Sequence, residues 1–278
     1  MRLSAEEADP PESGEESDAL LVGELTLVGR ITDASNATLV CDAVLGESIV
    51  RCVYKPIRGE RALWDFPDGT LAGREYASYL VSEQLGWSVI PRTVLREGPF
   101  GRGMVQRWVD TADRHGNGAA GLDLVDICSP ETVPPGWFEI LQASDMDGNP
   151  IVLIHADDPR LQRMAVLDVL INNADRKGGH ALEGLDGAVY GVDHGICLHT
   201  ENKLRTVLWG WAGTRVPEAL VADIVGLISS LEGNFAAVLG EHITADEVVA
   251  LYERAVDLVA APVMPRPSGR RPIPWPAF

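Results

Sequence analysis

The spacing of hydrophobic and polar positions divides the chain into two textures. From Leu20 onward come three short runs, "LLVGELTLVGRI", "ATLVCDAVL" and "SIVRCVYKP", separated by the turn-forming "TDASN" and "GE". Apolar and β-branched runs bounded by such residues predict strands, here a small antiparallel sheet. "GTLAGREYASYLVSEQLG" then sets Leu71, Ala72, Tyr76, Tyr79, Leu80 and Leu85 at roughly helical spacing and stops at Gly86, so one helix is inserted into the strand series. "SVIPRTVLR" and "GMVQRWVD", joined by the Gly-rich "EGPFGRG", predict a further hairpin.

After residue 110 the pattern turns largely helical, with two exceptions. The Gly- and Asp-rich stretch 111–150, with "GNGAAG" and "DMDGNP", reads as a long insertion or mobile segment. "DDPRLQRMAVLDVLINN" carries an Asp cap, Pro159 in the first turn and an apolar stripe of Leu161, Met164, Leu167, Leu170 and Ile171. It delivers the chain into "NNADRKGGH". "GAVYGVDHGICLH" reads as a strand pair, and "PEALVADIVGLISSLEG" and "TADEVVALYERAVDLVA" as amphipathic helices. The ends differ from both textures. The acidic "MRLSAEEADPPESGEESDA" has too few large apolar residues to order itself, and "PVMPRPSGRRPIPWPAF" is too rich in proline for a helix or a central strand. The expected organisation is an acidic disordered arm at 1–19, a sheet-rich unit at 20–109, a second unit at 110–262 and a Pro-rich tail at 263–278.

Composition narrows the partners. With 46% hydrophobic residues in 278, a substantial core is available. A formal charge of −18 disfavours phosphate backbones and anionic membranes, so neither nucleic acid nor a membrane is an expected partner. The short "SGRRP" near the C-terminus is the local exception. Cys41, Cys52, Cys128 and Cys197 are scattered and form no C-x-x-C pair, which points to reduced thiols in a cytoplasmic protein rather than a zinc site or disulfide framework. No apolar run approaches the ~20 residues of a membrane span, and a secretory signal is not expected.

Two constellations could carry chemistry. Strand alternation places Ile49, Arg51, Val53 and Lys55 on one sheet face, and Glu75 follows in the next helix. Lys55 and Glu75 can form an ion pair aimed into a cleft, or both can be solvated surface residues. A lysine held in this way serves chiefly as a point charge for phosphate. Asp175, His180 and Asp193 make the second group. Asp175 sits after a helix in a Gly-containing loop where it could orient or deprotonate a hydroxyl, and Asp193 could hold a divalent cation. The alternative is a pair of turn aspartates. A zinc cluster of His180, His194 and His199 with Asp193 has no supporting helical spacing. Neither a dinucleotide loop nor a G-x-x-x-x-G-K-[ST] loop occurs. Trp209 and Trp211 read as core packing, with substrate contact as the alternative.

Taken in order, "VYKP", "AGREYASYLVSEQLG", "LDVLINNADRKGGH" and "GVDHGICLH" resemble the phosphatidylinositol 3-/4-kinase-like branch of the protein-kinase-like superfamily, especially its small actinobacterial-type members of undefined substrate. The resemblance covers roughly residues 20–260. It implies an α+β, two-lobed protein-kinase-like fold with a β-rich N-lobe and a helical C-lobe. It also implies ATP and Mg²⁺ or Mn²⁺ as cofactors, with a hydroxyl of a protein, a small molecule or an inositol lipid as acceptor, the lipid being the least favoured by the acidic chain. On that resemblance Lys55 contacts the ATP phosphates, Glu75 holds it, Asp175 orients or deprotonates the acceptor and Asp193 binds the metal. Val53 forms part of the adenine ceiling, Gln106, Arg107, Trp108 and Val109 form the hinge, and Ser35 and Asn36 of "TDASN" cover the phosphates. Arg176 and Lys177 supply positive charge near the transferred group, or are solvated loop bases. The family usually places Asn where this chain has His180, a softer ligand than Mg²⁺ prefers. That departure implies Mn²⁺, a different role for the imidazole, or reduced catalysis. The functions implied are therefore a kinase, a nucleotide-binding pseudokinase working through partners, or a nucleotidyl transferase.

Overall fold

The early strand pattern folds into one antiparallel sheet. The computed structural model describes residues 14–31, 36–112 and 121–278. Strands β1 (Glu24–Ile31), β2 (Thr38–Leu45), β3 (Ser48–Pro56), β4 (Thr93–Gly98) and β5 (Gly101–Arg107) lie in the order β1-β2-β3-β5-β4. Alternation along β3 sends Val50, Cys52 and Tyr54 into a small core with Leu25, Cys41 and Val105, while Val53 and Lys55 face the other way, into a cleft. Helix α1 (Gly14–Val22) covers the apolar face, and its Ala19 and Leu20 are fully buried there. The disordered arm expected to reach residue 19 therefore gives way to a helix at Gly14, because the apolar "ALLV" finds a sheet face to cover. The remainder of that arm, residues 1–13, lies outside the described residues.

Helix α2 (Leu71–Gln84) sits between β3 and β4 in sequence. Its first-turn N–H groups, which no helical carbonyl can satisfy, are met by side chains. Thr70 Oγ1 accepts from Gly73 N, and the Glu60 carboxylate accepts from Leu71 N and Ala72 N at 3.0 and 2.8 Å. This double cap fixes the helix start and, one turn later, the position of Glu75.

The stretch 111–150 is not a plain insertion. Strands β6 (Val125–Cys128), β7 (Phe138–Ser144) and β8 (Pro150–His155) form an antiparallel sheet in the order β6-β8-β7. "DMDGN" is its hairpin turn, in which Asp145 Oδ1 accepts from Asp147 N and Asn149 N at 2.9 and 2.8 Å. Short strands and a half-exposed β7 hide the two-residue period that would have announced them. Residues 113–120 of this stretch lie outside the described residues.

Helices α3 (Pro159–Leu170), α4 (Glu218–Leu231), α5 (Phe235–Leu239) and α6 (Ala245–Ala260) carry the larger core, with a short pair β9 (Ala181–Glu183) and β10 (Val189–Gly191) beneath the cleft. The architecture is mixed, sheet-rich at the N-terminal side and helical at the C-terminal side. Leu161, Met164, Leu167 and Leu170 of α3 are fully buried, as its apolar stripe predicts. Trp211 packs in the same core and its Nε1 donates to Asp157 Oδ1 at 2.9 Å, while Trp209 Nε1 donates to Pro272 O at 3.0 Å. The Pro-rich tail lies along the helical unit, bonded through Met264, Pro272 and Ala277 to Thr214, Thr206 and Gly178. Among the described residues no helix is long and apolar enough to cross a membrane.

One buried ion pair ties these pieces together. Arg176 and Asp168 have fully buried side chains, and all five guanidinium N–H groups find acceptors. Nε and one Nη bond the Asp168 carboxylate at 2.9 Å, the other Nη donates to His180 O and Val192 O at 3.0 and 3.1 Å, and His194 Nε2 lies 2.6 Å from the first Nη. Asp168 Oδ1 also accepts from Asn173 Nδ2 at 2.9 Å. Helix α3, the loop after it and the strand end at Val192 thus share one cation.

Two outcomes are expected. Asp168→Leu leaves the Arg176 charge buried without its counter-ion and should cost about 3–5 kcal/mol in urea unfolding, with partial recovery in Asp168→Leu/Arg176→Met; an unchanged midpoint in the single variant would remove the pair from this role. His155 is buried, its Nδ1–H donating to Ala156 O and its Nε2 accepting from Gly210 N, and burial pushes its pKa down to about 4. Because the folded pKa lies below the unfolded one, the unfolded chain takes the proton first as pH falls below about 6.5, and stability is lost from there toward pH 4. His155→Gln should remove about 1.4 kcal/mol per pH unit of that acid slope, measured by unfolding at pH 6 and 5.

Candidate functional site

A cleft of about 670 Å³ opens between the five-stranded sheet and the helical unit. Its sheet wall carries Val53 and Lys55, α2 contributes Glu75, the segment after β5 contributes Gln106 to Val109, and the floor carries Asp175, Lys177, His180 and Asp193. A volume of this size takes a nucleotide-sized ligand.

The central contact is a lysine between two carboxylates. Lys55 Nζ lies 2.5 Å from Glu75 Oε1 and 2.7 Å from Asp193 Oδ1. Lys55 and Glu75 are largely buried, whereas half of the Asp193 side chain is exposed. Burial works against the lysine charge, but Asp193 and Glu75 together hold its pKa above the ordinary value. The same charge holds Asp193 well below the usual carboxylate range, against the effect of burial. For Glu75, burial outweighs the lysine and raises the pKa. Lys55 therefore stays cationic at any ordinary pH. One of its partners is fixed in the wall and the other is open to the cleft.

The floor is set by the loop after α3. Asn173, fully buried, accepts from Asp175 N through its Oδ1 at 2.9 Å, which turns the Asp175 side chain outward beside Lys177, 3.2 Å from its Nζ. Burial raises the Asp175 pKa and Lys177 opposes it. Asn172, at φ 53°, donates to His199 O and Glu201 O and accepts from Lys203 N. Asp193 also holds a left-handed backbone, φ 61°, a conformation that Asn and Asp tolerate better than most residues. That turn aims its carboxylate back toward Lys55 and His180, whose Nε2 is 3.6 Å from Asp193 Oδ2.

Asp175, His180 and Asp193 present ligand atoms within 4.8 Å of one another. Adjacent ligands of octahedral Mg²⁺ lie about 3.0 Å apart and opposite ones about 4.2 Å, so the three side chains would have to draw together to share one ion. Burial, with the nearby cations Arg176, Lys177 and Lys55, pushes the His180 pKa down to about 4 although Asp193 opposes it. The imidazole is neutral at neutral pH, as a ligand must be, and its buried Nδ1 has no hydrogen-bond partner among the described residues. Two carboxylates and one neutral imidazole fit a divalent cation, with Mn²⁺ suited better than Mg²⁺ by the nitrogen donor.

The other expected site residues divide. Arg107 turns its guanidinium to Tyr190, 3.0 Å from the hydroxyl, and Gln106 Nε2 donates to Thr93 Oγ1. The N–H groups of Arg107 and Trp108 are committed to Arg92 O and Arg51 O and are not open to the cleft's contents. Asn36 lines the cleft and its Oδ1 accepts from Arg61 N at 2.9 Å, whereas Ser35 lies outside the described residues. Arg176 corrects an expectation: fully buried with every donor used internally, it is a framework residue, and charge toward the cleft comes from Lys177. The sequence does not single out Asp168 and Asn173 and offers His194 only within a zinc cluster without supporting spacing, although the doubled Asn before "ADR" signals that the loop has fixed backbone bonds to fill.

No family model matches the chain. It is 56% identical over 268 residues to Protein Rv2133c of Mycobacterium tuberculosis, a match spanning 95% of this chain and 96% of that protein. Among solved structures, the crystal structure of a Helicobacter pylori proinflammatory kinase, CtkA, superposes with a TM-score of 0.44 at 10% identity, covering 87% of this chain and 93% of that one. A likeness of that strength carries no weight for fold or activity. The extent and identity of the first match place the chain in the family of Protein Rv2133c.

Proposed function

We propose that the protein is an ATP-dependent phosphotransferase of two-lobed, protein-kinase-like build, acting on a hydroxyl of a protein or small-molecule acceptor. The observation that carries this reading is the position of Lys55, bonded at once to a buried helix glutamate and to a cleft-facing aspartate. A strand lysine paired with a helix glutamate, beside a metal-binding aspartate, is the arrangement that kinases use to hold nucleotide phosphates.

In this reading Lys55 exchanges its contact with Asp193 for the phosphate oxygens, while Glu75 keeps its stem in place. The freed Asp193 carboxylate, neutral His180 and Asp175 are the residues that would hold a divalent cation. A bound cation supplies charge neutralisation at the phosphates. Asp175 accepts the proton of the acceptor hydroxyl as its oxygen bonds to the γ-phosphorus and the bond to the ADP oxygen breaks. Lys177, 3.2 Å from Asp175, opposes the rise that burial gives its pKa and fixes the side chain's position. Val53 and the 106–109 segment bound the adenine end of the cleft. The reading includes a cytoplasmic location, supported by four free cysteines, three of them buried. A second reading, a nucleotide-binding pseudokinase, is favoured by one observation, the histidine at position 180.

Calorimetric titration with ATP should give binding that requires Mg²⁺ or Mn²⁺, and Lys55→Ala should weaken it by about tenfold or more, the worth of a charge-assisted hydrogen bond. No binding with either metal would sink the phosphotransferase mechanism. Replacing His180 with Asn should preserve or raise Mg²⁺-supported ATP turnover if position 180 is a ligand position. Complete loss would give the imidazole its own chemical role, and ATP binding without turnover in both proteins would select the pseudokinase.

A further inference from the structure

A second concavity, of about 440 Å³, shares no lining residue with the main cleft. Lys203, Arg205, Arg270 and Arg271 line it with Ser268 and Gly269, and its lining contains no carboxylate. In a chain of 41 acids and 23 bases this is an inversion of the local charge. Among the described residues no carboxylate lies within salt-bridge distance of Arg205, Arg270 or Arg271. Lys203 is partly neutralised, its Nζ lying 3.4 Å from Asp65 Oδ2 and 4.0 Å from Glu201 Oε2. Grouping like charges without a counter-ion is unfavourable, so the cluster has a field to offer an incoming anion.

The two basic stretches are far apart in sequence and are held together by the backbone. Pro272 O accepts from Thr206 N at 3.1 Å and from Trp209 Nε1 at 3.0 Å, which docks "SGRRP" against "NKLR". Prolines at 265, 267, 272, 274 and 276 restrict the tail on both sides of the arginines, so less conformational freedom is lost when a ligand binds. Arg205 is anchored as firmly, its N–H donating to Asn173 O and its carbonyl accepting from Arg176 N at 2.9 and 3.0 Å. The pocket therefore shares its backbone with the loop that carries Asp175.

We infer that this pocket is a binding site for a small soluble ligand bearing two or more closely spaced phosphate groups. Planar guanidinium groups match phosphate oxygens in pairs, and three of the four cations are arginines. The pocket, at about 440 Å³, has room for such a ligand. A long polyanion or an anionic membrane would meet the repulsion of the whole chain, whereas a small ligand within a Debye length of ~8–10 Å senses chiefly the local cluster.

The test is calorimetric titration of the full chain with tripolyphosphate at 50 and 150 mM salt, for the wild type, Arg270→Ala/Arg271→Ala, Arg205→Glu and Lys55→Ala. Tripolyphosphate should bind the wild type more weakly at the higher salt. Either arginine variant should weaken binding by about tenfold or more, while Lys55→Ala should leave it intact, whatever becomes of ATP binding in the main cleft. Thermal melts check that the variants are folded; Arg270 and Arg271 are exposed, so their loss should not move the midpoint. Absence of binding at 50 mM salt would overturn the proposal, as would binding that depends on Lys55 and not on the arginines. Sedimentation with phosphatidic acid vesicles, if it occurred without tripolyphosphate binding, would overturn it in favour of a lipid surface.

Discussion

The guanidinium of Arg176 is the contact on which the candidate site depends. One planar group with five donors reaches helix α3 through Asp168, the loop through His180 O, the strand end through Val192 O, and the ring of His194. A charge buried this completely is tolerated only when each donor has an acceptor, so the surrounding backbone has little freedom to move. Asp175 is the neighbour of Arg176 in sequence, Asp193 the neighbour of Val192 and His194. Both candidate catalytic carboxylates are thereby placed by a cation that never meets the cleft.

The cleft itself rests on a different electrostatic choice. Lys55 has two carboxylates for one charge, and only Glu75 is enclosed. In the phosphotransferase reading proposed above, exchanging the exposed partner for a phosphate would keep the ammonium compensated in both the empty and the occupied cleft. Neutral His180 fits this arrangement, since a third positive charge beside Lys55 and Lys177 would be unfavourable.

The tail joins these features to the outside of the molecule. It fastens Gly178 through Ala277 O, and the Phe278 ring lies where a side chain at Gly178 would fall, 2.2 Å from a Cβ placed there. The loop bearing Asp175 is thus held from below by Arg176 and from the side by the tail. The basic pocket built from Arg205, Arg270 and Arg271 touches both supports.

The one-dimensional pattern determined what depends on period and on local backbone chemistry. The two-residue alternation of "SIVRCVYKP" set Lys55 opposite the apolar face of β3, and the 3.6-residue stripe and Asp158 cap of α3 delivered the chain into "NNADRKGGH" at the right place. It was weaker wherever a tertiary partner was decisive. The "ALLV" of α1 orders only because a sheet face covers it, and alternation does not reveal the four-residue β6, the largely exposed β7 or the unbroken apolar run of β8. Arg176 and Lys177 are adjacent bases with equal claims in sequence. Only the fold separates them, because one side chain meets a fully buried aspartate and the other meets solvent and Asp175. The same reason applies to the basic pocket: a charge cluster drawn from stretches as distant as Arg205 and Arg270 exists only where backbone hydrogen bonds bring the segments together, and that pairing has no signature in either segment alone.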